Sequence, residues 1–114
     1  MNGLAEEFAR NVAAQTDAIW RGERGGGNKY AKRYIAAVKK LLTQGEAGRD
    51  ALAALLIHPR MDVRVNAAGF LLGDRPAQAL PVLEEAAKGK GMIPFVASCA
   101  VKSWHEGTWK LDLD

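Results

Sequence analysis

Apolar residues recur along this chain with the period of an α-helix. Over residues 4–21, at about 100° per residue, the apolar side chains fall within one arc and the charged ones on the opposite side. This apolar arc holds Leu4, Phe8, Val12, Ile19 and Trp20. Such a division predicts an amphipathic helix that buries one face against the rest of the protein.

A second amphipathic helix is predicted after the glycine-rich stretch "GERGGGN". The three glycines predict a flexible loop, Asn28 is the expected N-cap, and Gly45 ends the helix. One arc carries Tyr30, Tyr34, Ile35, Val38, Leu41 and Leu42. The complementary arc carries Lys29, Lys32, Arg33, Lys39 and Lys40.

Two shorter helices are expected next. The third helix is predicted to begin near Asp50 and to end before Pro59, because the residue that precedes a proline avoids helical backbone. Asp62 is predicted to cap the fourth helix, which ends at Gly73.

Prolines mark the last two helices. Pro76 lies in the first turn of the fifth helix, and Pro94 opens the sixth. Pro81 interrupts the fifth pattern, which predicts either a kink or a helix that begins near Pro81. Residues 108–114 are predicted to form a coil that packs through Trp109 and Leu111.

The second half of the chain contains an internal repeat. Residues 63–72 shifted by 32 positions fall on residues 95–104, with small residues on small and bulky residues on bulky. The preceding segments "ALAALL" and "ALPVLE" match with a shift of 28. Two related helical hairpins are therefore predicted, with the first two helices as a third, diverged pair.

These motifs resemble HEAT-type helical repeats. The Leu-Pro-x-Leu of an outer helix stands as "ALPVL" at 79–83, and the Asp-Val-Arg run with its small-residue pair stands in "HPRMDVRVNAA" at 58–68. Over about residues 45–110 the chain is also similar to a family of short bacterial proteins classed as a domain of unknown function. It departs from the pattern at Val96, where an arginine is expected.

The resemblance implies an all-α fold, an α-α superhelix of about three antiparallel helix pairs in the manner of HEAT-like or armadillo-type solenoids. We expect a single domain over residues 1–114, with helical hairpins at about 3–45, 48–73 and 75–107 and a tail at 108–114.

Structural roles are predicted for several residues of the fourth helix and for Pro81 of the fifth. Ala67 and Ala68 would allow close approach of neighbouring helices, and Asp62 would accept hydrogen bonds from free N–H groups at the helix start. Arg64 would bridge to a carboxylate or loop carbonyl of an adjacent hairpin. The alternative is that Arg64 faces a ligand.

Charge is distributed unevenly. The net charge is +3, and residues 1–57 contain nine Lys/Arg against six Asp/Glu, whereas residues 58–114 contain seven of each. A basic patch is therefore predicted only in the first half. The total excess is too small to indicate nucleic-acid binding by itself.

No catalytic, metal or cofactor site is predicted. His58 and His105 lack further ligands at metal-binding spacing, and Cys99 is expected to be a buried packing thiol rather than a nucleophile. The glycine loop lacks the spacing of a phosphate-binding Walker motif. With no signal peptide and no membrane-spanning run, a cytoplasmic protein without a membrane partner is expected.

The predicted function is that of a non-enzymatic protein-protein interaction module, for example an immunity or regulatory partner of another bacterial protein. Candidate partner-binding residues are Arg60, Arg64, Asn66, Lys29, Lys32, Arg33, Lys39, Lys40 and Trp109. A short helical stack could also form a homodimer through its ends. The alternative is duplex DNA binding, with the basic helical face aligned with Arg60 and Arg64.

Overall fold

The computed structural model describes residues 3–111 and contains, over that range, six α-helices, one short 3-10 helix and no strand. The α-helices, numbered in chain order, span Gly3–Trp20 (α1), Gly26–Thr43 (α2), Glu46–Ala53 (α3), Met61–Leu71 (α4), Pro76–Ala87 (α5) and Met92–Glu106 (α6). The 3-10 helix is Ala54–Ile57. The predicted all-α fold class is confirmed for these residues, and the superhelical arrangement remains a prediction.

The helices form two compact units, one that ends at Leu55 and one that begins at Leu56. In the first unit α2 packs against both α1 and α3. In the second unit α4, α5 and α6 pack against one another. The expectation of a single domain with three hairpins stays a prediction, and the part of its tail at 112–114 lies outside the described residues.

The core of the first unit is formed by the apolar arcs that the sequence predicts. Its fully buried side chains include Phe8, Val12, Val38, Leu41 and Leu52. Burying an aliphatic or aromatic side chain of this size contributes about 1.5–3 kcal/mol. Burial of these residues therefore contributes several kcal/mol to the packing of the three helices.

The last turn of α1 departs from the predicted pattern. Trp20 is 77% exposed and Ile19 is 47% exposed. Trp20 lies about 120° around the helix from Phe8, at the edge of the apolar arc. Ile19 faces Gly27, which has no side chain to cover it.

The prediction that Asn28 caps the second helix is wrong. The helix begins two residues earlier at Gly26, and its N-cap is Gly25, with φ 71° and ψ −8°. This left-handed conformation favours glycine, so the glycine run starts the helix instead of forming a long loop.

Backbone proximity governs the contact between α2 and α3. A Cβ atom placed on Gly48 would lie 1.6 Å from the carbonyl oxygen of Leu41, so this contact requires a glycine. The predicted start near Asp50 is wrong, because α3 begins at Glu46 after Gly45. The helical backbone then tightens into the 3-10 turn ahead of Pro59.

The second unit is built on small and branched apolar residues. Fully buried positions include Val63, Ala67, Ala68 and Leu71 of α4, together with Leu83 of α5 and Ala97 of α6. The alanine pair places little volume between α4 and its neighbours, which allows close helix packing.

Helix α5 continues through Pro81 without a break. The alternative in which the helix begins near Pro81 is therefore wrong. Pro81 has no N–H to donate to the carbonyl of Ala77, and both residues are exposed. Water can hydrogen-bond that carbonyl, which explains why the helix tolerates the proline.

Burial does not follow the predicted register between the repeats. Val63 is fully buried, whereas its expected counterpart Phe95 is 68% exposed. Ala67 is buried, whereas its counterpart Cys99 is exposed, so the prediction of a buried thiol is wrong. The reason is that α6 buries the face carrying Pro94 and Ala97, and the face with Phe95 and Cys99 remains open.

Candidate functional site

A polar network holds the beginning of α4. The Nε and Nη2 atoms of Arg60 donate to the carboxylate of Asp62 at 3.1 and 3.0 Å, and the Val63 N–H donates to Asp62 Oδ1 at 2.9 Å. Asp62 is the second residue of α4 and not its N-cap, because the helix begins at Met61. Its buried negative charge lies where the helix dipole favours an anion.

Arg64 binds the turn that precedes its own helix. Its Nη1 donates to the carbonyl oxygens of His58 at 2.7 Å and Pro59 at 3.1 Å. In the same turn His58 Nδ1 accepts the backbone N–H of Arg60 at 3.0 Å. Asn66 Nδ2 donates to the carbonyl of Asp62 at 2.9 Å. Three predicted partner-binding residues, Arg60, Arg64 and Asn66, thus make local hydrogen bonds, and their binding role stays a prediction.

An apolar groove lies on the second unit, with a volume of about 240 Å³. Most of its walls are hydrocarbon, and Asn66 and Lys110 are its polar margins. The apolar groove is lined by Val65, Asn66, Gly69, Phe70, Leu83, Val96, Ala100, Trp109, Lys110 and Leu111. It is therefore formed by α4, α5, α6 and the segment after α6.

Trp109 forms one wall of the apolar groove. Its ring packs edge-to-face on Trp104, with centroids 5.8 Å apart and planes at 71°. The backbone N–H of Trp109 donates to the carbonyl of Ser103 at 3.1 Å. A Cβ on Gly73 would lie 3.0 Å from the Trp109 ring, so Gly73 makes room for it. The half-buried ring holds the tail against its unit while leaving part of its surface available to the groove.

Exposed apolar side chains continue from this groove along α6. Met92, Phe95, Val96 and Cys99 have the spacing i, i+3, i+4, i+7, which places them on one face of the helix. We call them the α6 stripe. Exposed fractions are 39% for Met92, 68% for Phe95 and 48% for Val96, and Val96 belongs to both stripe and groove.

Sequence reasoning missed the α6 stripe, although a signal for it exists. Apolar residues occur on both sides of this helix: Ala97 is buried, while Phe95 and Val96 are exposed. A helix with more apolar surface than one core can cover leaves the remainder for another partner.

A second groove has charged residues in its walls. It measures about 420 Å³ and is lined by Leu56, Met61, Arg64, Pro81, Val82, Glu85 and Ala86. We call it the charged groove. Arg64 is turned toward its own turn carbonyls, and Glu85 pairs with Lys88 at 3.0 Å. Its charged groups therefore serve local contacts, and its lining includes no histidine, cysteine or hydroxyl side chain.

The predicted basic residues of the second helix share one exposed surface. This α2 basic face comprises Lys29, Lys32, Arg33, Lys39 and Lys40, all of which are exposed. No acidic residue occurs between Glu23 and Glu46. The Lys29 Nζ lies 4.9 Å from the centroid of the Tyr30 ring, and the Arg33 Cζ lies 5.6 Å from it. The ring quadrupole of Tyr30 therefore favours two cations at this position.

Beneath this face, α1 and α2 are joined by a polar contact. Burial raises the pKa of Tyr34 above its usual 10.0, and a hydrogen bond with Gln15 opposes part of that rise. Gln15 Nε2 also donates to the carbonyl of Gly27 at 3.3 Å. The Phe8 ring packs edge-to-face on Tyr34, with centroids 5.7 Å apart.

The described part of the chain contains no group of three or more His, Cys, Asp or Glu side chains that could hold a metal ion. Within residues 3–111, every buried side-chain nitrogen or oxygen has a hydrogen-bond partner. Over the same range, no helix combines the length and the hydropathy that crossing a bilayer requires.

Comparison with known proteins supports the fold without naming a function. No protein-family model matches the chain, and no curated protein matches it. The chain is similar to the crystal structure of the protein RPA1889 from Rhodopseudomonas palustris CGA009, with a TM-score of 0.87 and 25% sequence identity. The match covers 96% of this chain and 91% of that one. The name of that protein states no activity, substrate or partner, so the similarity concerns the fold.

Proposed function

We propose that this chain is a non-enzymatic protein-protein interaction module of the HEAT-like class that its sequence resembles. In this proposal its second unit binds an amphipathic helix of another protein. The apolar groove and the α6 stripe, which meet at Val96, are the observation that supports it.

The size of the apolar groove supports a protein partner over a small ligand. Its volume of about 240 Å³ is below the roughly 300–1,000 Å³ of typical small-molecule pockets. A groove of this size suits one or two anchoring side chains of a larger partner. Trp109 in its wall is the kind of residue that carries much of the binding energy in protein interfaces.

The α6 stripe supports a helical partner in particular. Met92, Phe95 and Val96 repeat at the spacing by which one helix packs against another. An amphipathic helix lying along α6 would cover the stripe and place one large apolar side chain in the groove. Transfer of this apolar surface out of water would drive the association.

The charged groove supports the non-enzymatic part of the proposal. Its volume of about 420 Å³ falls within the small-molecule range, but Arg64 and Glu85 are engaged in local contacts. The lining offers one carboxylate, Glu85, and no histidine, cysteine or hydroxyl side chain, so it lacks the paired groups that acid-base or nucleophilic catalysis uses.

Capture from extracts of the source cells tests the proposal when it is combined with matched variants. Val96→Glu places a charge where groove and stripe meet, and we expect it to lose the captured partner. Ile57→Glu is the control, since Ile57 is 88% exposed and lines neither groove. A partner that Val96→Glu retains, or that both variants lose, contradicts the proposal.

Light scattering distinguishes a partner protein from a second copy of this chain. We expect a monomer at micromolar concentration. A dimer that Val96→Glu dissociates would identify a second copy as the occupant of the groove and would overturn the proposal of a different protein.

A further inference from the structure

We propose that the α2 basic face binds the phosphate backbone of a nucleic-acid duplex without reading its sequence. The inference is independent of the apolar groove, because the five cations of this face belong to the first unit. It needs neither Arg60 nor Arg64, whose hydrogen bonds lie within the second unit.

Charge complementarity is the first argument. Between Glu23 and Glu46 the chain carries six Lys or Arg residues and no acid. Five of the six form the α2 basic face and have exposed side chains, and Lys39 also makes an interaction within the chain. Exposed cations without an acid among them create a positive potential that attracts a polyanion.

The five cations of this face form a ridge along one side of α2. Lys29 and Lys40 are eleven residues apart, which corresponds to about 16 Å along a helix axis. At about 100° per residue, the five side chains fall within an arc of about 120°. A single duplex can therefore approach all five from one direction.

The composition of the face favours phosphates over an acidic protein. Its remaining exposed residues are small or polar: Asn28, Ala36 and Thr43. Protein interfaces are depleted in lysine and enriched in aromatic residues, and this face has four lysines, one arginine and no exposed aromatic side chain. Phosphate contacts need no such anchor, because counterion release supplies the driving force.

A duplex is favoured over a single strand because of Tyr30. Single-strand binding depends on aromatic rings that stack on bases. The Tyr30 ring is half-buried and already faces Lys29 and Arg33 at 4.9 and 5.6 Å. It holds cations in place instead of offering a stacking platform for bases. The expected contacts are therefore with the phosphate backbone of the nucleic acid.

The experiment measures fluorescence anisotropy of labelled random 20-base-pair DNA with the full chain between 50 and 200 mM salt. The expected plot of log K against log salt has a slope of about −3 to −4.5, for three to five phosphate contacts. The double variant Lys32→Ala/Lys40→Ala should reduce the magnitude of that slope by about 2 and weaken binding about tenfold or more at 50 mM salt. Two unrelated duplex sequences should bind equally.

The control is the double variant Lys90→Ala/Lys102→Ala, which removes the same charge from exposed positions of the second unit. It should keep the slope of the unmodified chain. Absence of binding at 50 mM salt, or equal losses in the two double variants, would overturn the proposal. Circular dichroism of each variant confirms that the helices remain folded.

Three further ligands distinguish the sources of negative charge. The same assay is run with a single strand of equal length, with polyglutamate, and with vesicles of phosphatidylcholine and phosphatidylserine at 3:1. Duplex bound most tightly at equal negative charge supports the proposal. Tighter binding of the single strand, the polypeptide or the vesicles contradicts it.

Discussion

The two units expose different kinds of surface, and different internal contacts stabilise each of them. In the first unit, α2 and α3 approach until a backbone carbonyl occupies the place of a side chain at Gly48, and the exposed face of α2 is cationic. In the second unit, side-chain hydrogen bonds organise the start of α4, and the exposed face of α6 is apolar. Each unit is thus stabilised by a different kind of contact and exposes a different kind of surface.

This difference indicates which residues can change without loss of fold. Lys32 of the basic face and Phe95 of the α6 stripe are exposed, so their substitution should affect binding more than folding. Gly48 and Asp62, in contrast, make the contacts that stabilise the first and the second unit. Stability measurements at these positions therefore test the comparison without reference to any ligand.

The largest effect is expected from Gly48→Ala. The added Cβ would lie 1.6 Å from the carbonyl oxygen of Leu41, so α2 and α3 must separate. We expect a loss of about 3 kcal/mol or more in the free energy of unfolding, at or above the upper end of typical overpacking effects. Urea unfolding followed by circular dichroism measures this loss.

Gly69→Ala is the matched control for that experiment. A Cβ on Gly69 meets no atom within 4 Å, and Gly69 lies inside α4. Alanine is the better helix former, so this variant should gain about 0.5–1 kcal/mol. Equal destabilisation by both substitutions would mean that the backbone contact at Gly48 does not distinguish the first unit.

The next largest effect is expected from Asp62→Ala in the second unit. The change removes the acceptor of the Arg60 guanidinium and of the Val63 N–H. Hydrogen bonds to a charged group contribute about 1.5–3 kcal/mol, so we expect a loss of about 2 kcal/mol in the free energy of unfolding. Thermal and urea unfolding measure it.

Arg60→Ala provides the comparison for Asp62→Ala. The Arg60 side chain is 41% exposed whereas that of Asp62 is 5% exposed, so this change takes the guanidinium away from a buried carboxylate that keeps the Val63 N–H. We expect a loss of about 1–3 kcal/mol, comparable to that of Asp62→Ala. A much smaller loss for Arg60→Ala than for Asp62→Ala would show that backbone N–H groups, and not the guanidinium, stabilise the buried carboxylate.

The helices could be predicted from sequence because their apolar arcs are long and regular. Phe8, Val12 and Leu41 are fully buried as their period requires. Helix starts were less accurate: a left-handed glycine began α2 where Asn28 was expected, and Gly45 preceded α3 where Asp50 was expected. Both cases depend on backbone conformation, which residue type alone does not determine.

The candidate surfaces were only partly predictable for a related reason. The cations of the basic face could be placed from one helical period, since exposure of Lys32 or Lys40 needs no knowledge of neighbours. The exposure of Phe95 and Cys99 could not, because it depends on which face of α6 meets α4 and α5. Nor could sequence show that Arg64 returns to the carbonyls of its own turn.

A smaller effect is expected from Trp109→Ala in the tail of the second unit. The edge-to-face pair with Trp104 contributes about 0.5–1.5 kcal/mol beyond the apolar surface that the half-buried ring removes from water, and we expect a loss of about 1–2 kcal/mol. Near-ultraviolet circular dichroism should lose the signal of the ring pair. A variant that retains that signal and full stability would mean that the Trp104 ring does not hold Trp109, which would then act solely as a groove wall.

The smallest effect concerns Tyr34 in the first unit and appears only in alkali. Burial raises the pKa of Tyr34 in the folded chain above its usual 10.0. As the pH increases past 10, the unfolded chain therefore loses the Tyr34 hydroxyl proton before the folded chain does. Stability from this shift is complete below pH 10 and falls as the pH rises through the folded pKa. Urea unfolding at pH 8, 10 and 11 should show this decline, and Tyr34→Phe should make it shallower. Tyr30→Phe serves as the control, since it removes the hydroxyl of the other tyrosine of α2, whose ring lies beside Lys29 and Arg33. An equal change of slope in the two variants would show that the loss of stability in alkali does not come from the buried Tyr34 hydroxyl. The loss would then be assigned to the charge of the whole first unit.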